Sequence, residues 1–292
     1  VVLTALLVAT SLAWTGRLTP PGAFRAIPDY WHQAADWLTD NNGGPSGPRG
    51  RVLVVPGAPF ATQTWGNSHD EPLQVLGESP WGVRDSIPLT PPQTIRALDS
   101  VQRLFAAGRP SAGLADTLAR QGISYLVLRN DLDPETSRSA RPLLVHRAIE
   151  GSPGLEKVAE FGEKVGPGIV EGFISDSGLR PLFPAVQIYR VAPATTGTGA
   201  AGPGVPYLAA ADAMTQVAGG PESLLRIDER RRLTAAPPLG PMLLTAAARR
   251  AGLSVPSGRG VIVTDTPVDR ETDYGRVDDH SSAIRTPGDR RN

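Results

Sequence analysis

Apolar residues recur along the chain with two periods, and each period predicts a type of element. Over residues 29–38, Trp31, Ala34, Ala35 and Leu38 stand at i, i+3, i+4 and i+7, the one-face spacing of an amphipathic helix with Asp29 as its N-cap. The glycine- and proline-rich stretch 41–50 ends that helix. Residues 52–55 (VLVV) form a continuous apolar run closed by Pro56 and Gly57, which predicts a strand covered on both faces. Ile95, Leu98, Val101, Leu104 and Phe105 predict the next helix, opened by Thr90, Pro91 and Gln93 in cap, N1 and N3 positions and stopped by Gly108. Leu114, Ala115, Leu118 and Ala119 mark another helix ending at Gly122, and residues 123–128 (ISYLVL) read as a second two-sided strand. Strand, helix, helix, strand is the order of an α/β fold, a layered sheet with flanking helices. Residues 155–161 and 186–191 read as further edge or antiparallel strands of the same layer.

The remaining pattern divides the chain. Residues 1–14 are an uninterrupted run of apolar or small side chains; at helical rise it covers about 21 Å, short of the roughly 30 Å hydrocarbon core of a bilayer. It reads as the end of a transmembrane helix over 1–15, with Trp14 at the interface and an exit loop over 16–21. The α/β domain then occupies 24–192. Residues 193–206 hold almost only Gly, Ala, Pro and Thr and read as a linker. A smaller α/β unit follows over 207–268, with strands expected at 214–217 and 261–264 and helices at 221–233 and 241–250, the last closed by Gly252. Residues 269–292 are charged and polar, the composition of a linker or disordered tail.

Charge and composition narrow the function. The 29 basic and 29 acidic residues cancel, so no global positive field favours nucleic acid, and a nucleic-acid partner is not expected. With no cysteine there is no disulfide, thiolate metal site or cysteine nucleophile. Only Lys157 and Lys164 are lysines, which removes lysine-based chemistry from most of the chain. Residues 197–202 match G-x-G-x-x-G, yet Pro203 and Gly204 follow where a phosphate-binding helix would start, so the match is linker composition. Arg230, Arg231 and Arg232 fall at a helix end, where cations complement the dipole.

The informative chemistry lies in two loops leaving the carboxyl ends of the two-sided strands, the edge where open α/β sheets bind ligands. The first, within 60–85, carries Trp65, Asn67, His69, Asp70, Glu71, Trp81, Arg84 and Asp85; the second carries Asn130, Asp131 and Asp133. Flat rings beside carboxylates and amides suit a carbohydrate, since rings pack on the apolar faces of sugars and polar groups take the hydroxyls. The plain structural alternative is that Trp65 and Trp81 pin a long loop to the core. His69, Asp70 and Glu71 are consecutive and read as loop hydrogen bonding, so no metal site is assigned. Arg84 is the candidate for a phosphate contact, with pairing to Asp70 or Asp85 as its ordinary use.

The stretches FATQTWGNSHDEPLQVL (60–76), SPWGVRDSIPLTPPQTIRALD (79–99), GISYLVLRNDLDP (122–134) and VIVTDTPVDRETDYGR (261–276) resemble the α-(1→3)-arabinofuranosyltransferase family of the arabinan-containing cell envelope. These are multi-pass membrane glycosyltransferases of the GT-C class. The resemblance covers most of residues 24–279. It implies a lipid-linked donor, polyprenyl-phosphate arabinofuranose, and an arabinan acceptor on the extracytoplasmic side of the cell membrane, with carbohydrate-binding modules further along the family's chains. In GT-C enzymes the reacting carboxylate lies in an early loop of the membrane domain, so no catalytic position is carried onto these residues and no cofactor is expected to reside here. The expected role is an extracytoplasmic segment that supports acceptor binding, tethered to the membrane through the N-terminal helix. A noncatalytic glycan-binding or scaffolding module of another membrane protein is the alternative. A self-contained α/β enzyme is disfavoured, because no Ser/His/Asp motif, phosphate loop or metal signature is present.

Overall fold

A computed structural model describes residues 2–15, 22–43, 49–85, 91–166, 181–192, 208, 210, 213–237, 239–253 and 260–266. The expected exit loop at 16–21, the cap Thr90, the linker at 193–206 and the tail at 269–292 lie outside them. The apolar N-terminal run forms helices α1 (Val2–Ala9) and α2 (Ser11–Trp14). Among the described residues no helix is long and apolar enough to cross a membrane.

Helix α3 (Asp29–Asn41) buries Trp31, Ala34, Ala35 and Leu38, as their spacing predicts, but Pro28 occupies the cap and Asp29 the first turn. After it come β1 (Arg51–Val55), β2 (Ala61–Gln63), β3 (Gly66–His69), α4 (Leu73–Leu76), β4 (Trp81–Val83), α5 (Pro92–Ala107), α6 (Leu114–Arg120) and β5 (Ile123–Arg129). Then follow α7 (Pro134–Ser137), α8 (Pro142–Glu150), β6 (Leu155–Val165) and β7 (Phe183–Val191). The main sheet has the order β4-β1-β5-β7-β6. β1 is parallel to β4 and β5, whereas β7 runs antiparallel to both β5 and β6. Three parallel strands therefore end, and β7 begins, at a single edge.

The alternation of side chains across a strand explains why β1, β5 and β7 are apolar throughout. Leu53, Val55, Leu126, Leu128, Tyr189 and Val191 pack with the apolar stripes of α5, α6 and α8 on one face. Val52, Val54, Val127, Val186 and Ile188 meet α3 on the other. β6 is the outer strand; its exposed Glu156, Lys157, Glu160, Glu163 and Lys164 discourage further pairing. Gly162 in β6 has φ +80°, and a Cβ there would lie 2.9 Å from the Tyr30 ring, so its bareness admits Tyr30 to the sheet edge.

The smaller unit has β8 (Thr215–Ala218), α9 (Ser223–Leu233), β9 (Met242–Leu244), α10 (Thr245–Arg250) and β10 (Val261–Val263), its parallel sheet ordered β10-β8-β9. The helix expected over 241–250 starts only at Thr245, because Met242, Leu243 and Leu244 pair with β8 and sheet formation overrides their helical preference. α9 docks on α6. Asp228 accepts from Thr117 Oγ1 at 3.0 Å and from Arg120 Nη2 at 3.0 Å, and Arg232 makes a two-pronged pair with Asp116 at 2.6 and 2.8 Å. Arg232 is thus an interface residue rather than only a dipole-complementing helix end. Leu225 joins the core of the larger sheet.

That docking has no slack at Gly113, where an added Cβ would lie 2.2 Å from the backbone nitrogen of Glu229 in α9. Gly113→Ala is expected to lower stability by about 1 to 3 kcal/mol by levering α9 away. Gly82→Ala, which meets nothing within 4 Å, serves as the control in the same thermal melts. Equal melting of the two variants would contradict tight docking.

Candidate functional site

The edge where the parallel strands end is built by the residues that continue them. β5 finishes in Arg129, and Asn130, Asp131 and Leu132 follow; β1 turns through Pro56 and Gly57. The β2–β3 hairpin lies across this end, its backbone tied to the 130s. Thr64 N–H donates to the Asp131 carbonyl at 2.7 Å, Asp133 N–H to the Thr62 carbonyl at 2.8 Å, and Gln63 bridges to Leu132. The two loops expected to share an edge do so.

At its centre Asp131 is 0% exposed. Its Oδ2 accepts from Trp31 Nε1 at 2.8 Å, Trp65 Nε1 at 2.8 Å and the Tyr30 hydroxyl at 3.0 Å, while Oδ1 has no partner among the described residues. Burial raises the Asp131 pKa above the ordinary carboxylate value; the three donors and neighbouring Arg129 work against that rise. Burial and the adjacent carboxylate also push the Tyr30 phenol far above its usual range, so it remains a donor. Arg129, 1% exposed, sends Nε and Nη2 to the Pro56 carbonyl at 3.2 and 2.8 Å and pairs through Nη1 with Glu71. Asn130 Nδ2 donates to the Pro184 carbonyl at 2.7 Å and to Gln187 Oε1 at 3.0 Å, and its Oδ1 lies 3.1 Å from His146 Nε2. The His146 ring stacks on Phe183 at 3.6 Å, with Nδ1 3.2 Å from Glu150. Burial lowers the His146 pKa; the Glu150 hydrogen bond opposes this.

Of the residues singled out from the sequence, Trp65, Glu71, Arg84, Asn130 and Asp131 come together at this edge, buried or half-buried. Arg84 pairs with Asp99 of α5 at 2.7 Å and donates to the Asp85 carbonyl, because α5 brings Asp99 beneath it. Trp81 belongs elsewhere. It opens β4 opposite Val52, near the amino end of the sheet, and packs on the α3 core, so the shared cleft does not include it. Asn67 accepts from Thr62 Oγ1 at 3.1 Å, and Asp133 caps α7 through Glu135 N–H at 3.1 Å. His69 and Asp70 are exposed at the hairpin's end, where the His69 ring meets Phe60 edge-on at 6.3 Å. Among the described residues no group of three His, Asp or Glu side chains could hold a metal ion.

Tyr30, Trp31, Arg129 and His146 were not among the sequence candidates. The helical spacing places Trp31 in the core, and the structure makes it both core and donor. α8, which carries His146, was not predicted, although Pro142 followed by Val145, Ala148 and Ile149 has a helix's opening residue and spacing.

The model of the family described as alpha-(1->3)-arabinofuranosyltransferase, N-terminal GT-C domain, matches residues 1–292. The chain belongs to this family. It is 74% identical over 292 residues to the alpha-(1->3)-arabinofuranosyltransferase of Mycolicibacterium smegmatis and 72% identical over 291 residues to that of Mycobacterium tuberculosis. It spans 20% of the length of each of these relatives. A cryo-EM structure of arabinofuranosyltransferase AftD from mycobacteria superposes with a TM-score of 0.80 at 65% identity, over 99% of this chain and 21% of that one. The R1389S mutant of the same enzyme, in its class 2 form, gives 0.79 at 65% identity. The family resemblance and the α/β class read from the sequence both stand.

Within this family segment the Asp131 cluster is the test of internal cohesion. Asp131→Ala orphans three buried donors and is expected to cost about 3 to 5 kcal/mol in denaturant unfolding, while Asp131→Asn, which keeps one acceptor oxygen, costs less. A loss below about 1 kcal/mol for the alanine variant would contradict the clamp. His146 supplies a pH signature. Its folded pKa lies below the ordinary 6.5, so between the two values the unfolded chain binds the proton and the folded chain does not. Stability should therefore fall as pH drops below about 6.5, and the slope should shrink in His146→Gln. Melts from pH 7.5 to 5.5 check this, and identical slopes in both proteins would exclude His146 as the source.

Proposed function

We propose that this chain is a noncatalytic, acceptor-supporting segment of an arabinofuranosyltransferase. In this reading the parent enzyme transfers arabinofuranose from polyprenyl-phosphate arabinofuranose to an arabinan acceptor during cell-wall arabinan synthesis, on the extracytoplasmic face of the membrane. The observation that carries the enzyme class is the 74% identity along the whole chain to a protein named for that activity. The use made of the sheet-edge residues supports the noncatalytic role. Asp131 is enclosed by three donors, Glu71 is held by Arg129, and Arg84 is held by Asp99. In support of that reading, the Asp131 and Glu71 carboxylates are engaged by protein donors rather than free to take a proton from an acceptor hydroxyl. What faces outward is the hairpin's rim, where Phe60 is 55% exposed beside His69 and Asp70. A ring next to a carboxylate and an imidazole is a surface on which a furanose can stack and bond its hydroxyls.

The test uses the full-length enzyme with a lipid-linked arabinofuranose donor and a synthetic arabinan acceptor. Phe60→Ala and Asp70→Asn are expected to raise the acceptor KM severalfold, with kcat and the melting temperature held, since both side chains are exposed. A fall in kcat with unchanged KM would place the rim in the chemical step instead. Residues 1–292 expressed alone should transfer no arabinose, and turnover by that fragment would overturn the supporting role. A reporter fused after residue 292 of the full-length protein should be active only when exported.

A further inference from the structure

On the other side of the sheet edge, a cavity of about 500 Å³ opens between α5, the α7–α8 loop and the turn after β1. Arg103, Arg138 and Arg141 line it, and no carboxylate does among the described residues. Neither the Arg103 nor the Arg138 guanidinium has a partner among the described residues, and Arg141 has a single exposed contact to Glu135 at 3.7 Å. Three like charges brought to one concavity repel each other and gain when an anion enters.

Two polar side chains of the lining residues are buried behind the cavity surface. Gln102 is 5% exposed, and its Oε1 accepts from Gly57 N–H at 2.8 Å, which fixes the orientation of the amide. That leaves Gln102 Nε2, like Ser139 Oγ, buried without a partner among the described residues. Arg141 and Leu144 bring the amino end of the nine-residue helix α8 to the cavity, adding partial positive charge.

The lining presents three cations and, apart from the exposed 3.7 Å contact of Arg141 to Glu135, no carboxylate among the described residues opposes them, so the complementary ligand is anionic and rich in oxygen. One carboxylate fills one guanidinium fork, whereas a tetrahedral phosphate presents oxygens in several directions at once. The space is that of an organic ligand rather than a bare ion, and Ala106, Ala107, Ala140 and Leu144 supply an apolar wall. We propose that this cavity binds a phosphate ester, its phosphate held by Arg103, Arg138 and Arg141 and its organic body lying against the alanine and leucine wall. The inference does not rest on the acceptor-binding role of the hairpin.

Calorimetric titration of the full-length protein tests it, with three probes: inorganic phosphate, ribose 5-phosphate and monomeric dihexanoyl phosphatidic acid. At least one ester is expected to bind saturably and at least about tenfold more tightly than inorganic phosphate. Tighter binding of the lipid ester identifies a membrane-borne ligand, and tighter binding of the sugar ester a soluble one. The double variant Arg103→Gln, Arg138→Asn is expected to weaken ester binding about tenfold or more, by loss of charge-assisted bonds. Both side chains are exposed, and asparagine tolerates the left-handed backbone at position 138, where φ is 51°, so the variant should melt like the parent. Arg190→Gln, which removes an exposed arginine of β7 paired with Glu156 of β6, controls for general surface charge. Absence of saturable ester binding, full retention of it in the double variant, or equal loss in the control would each overturn the proposal.

Discussion

Burying a carboxylate is unfavourable unless donors meet its charge, and the sheet edge of this domain is organised around one such encounter. A single oxygen of Asp131 receives the Trp31 and Trp65 indoles and the Tyr30 phenol. Those donors come from α3 and the β2–β3 hairpin, and the acceptor follows β5, so one oxygen ties together segments 66 to 101 residues apart in sequence. The dependence is mutual. Two indole N–H groups and a phenol in an apolar setting need an acceptor as much as the carboxylate needs donors. Arg129, two residues earlier in the chain, adds a favourable positive charge and is itself tied to Glu71 and the Pro56 carbonyl. The networks of Asp131, Arg129 and Asn130 therefore brace the ends of β1, β5 and β7 together.

The parts of this arrangement that were legible in the sequence follow from periodicity. Trp31, Ala34, Ala35 and Leu38 lie on one helical face, and VLVV and ISYLVL are two-sided strands because helices cover both faces of the sheet. Gly108 takes the left-handed conformation after α5, with φ 59°, where the pattern ends. In the sequence the hairpin reads only as a loop, because its strands, ATQ and GNSH, are short and lack apolar alternation. Bonds to the 130s hold it in place, and such long-range pairing leaves no local trace.

Trp65 and Trp81 show the same limit at the level of one residue type. Both are tryptophans in one polar stretch, and composition treats them alike. Register separates them: β4 is parallel to β1 and begins at Trp81, which sends that ring to the amino end of the sheet, while Trp65 sits in the hairpin turn at the carboxyl end. The plain structural alternative describes Trp81, which packs on the core without a polar partner among the described residues. For Trp65 the two readings merge, since the same ring packs on the core and donates to Asp131.

The main sheet divides its carboxyl edge into two surfaces of different electrical character. On the α3 side, aromatic rings and enclosed carboxylates lead out to a rim of Phe60, His69 and Asp70; on the α5–α8 side, the surface is arginine over an alanine and leucine wall. A chain with zero formal net charge has little long-range field with which to gather anions, so any selectivity between these surfaces must come from contacts of a few ångströms. Exposed guanidiniums act over such distances through directional bonds as well as charge, so the arginine side favours a ligand that presents oxygens in fixed positions. A neutral polyhydroxylated chain gains little from unpaired cations but can stack on a ring and bond to a carboxylate, which favours the hairpin side. Arg84 stands between the two surfaces, its carbonyl bonded to Ala58 and its guanidinium bonded to Asp99, with Gly57 against its backbone. Because that ion pair is buried, removing either partner would leave an uncompensated buried charge, so the stretch of chain between the two surfaces is fixed in place by the same rule that holds Asp131: a charge taken out of water must keep its partner.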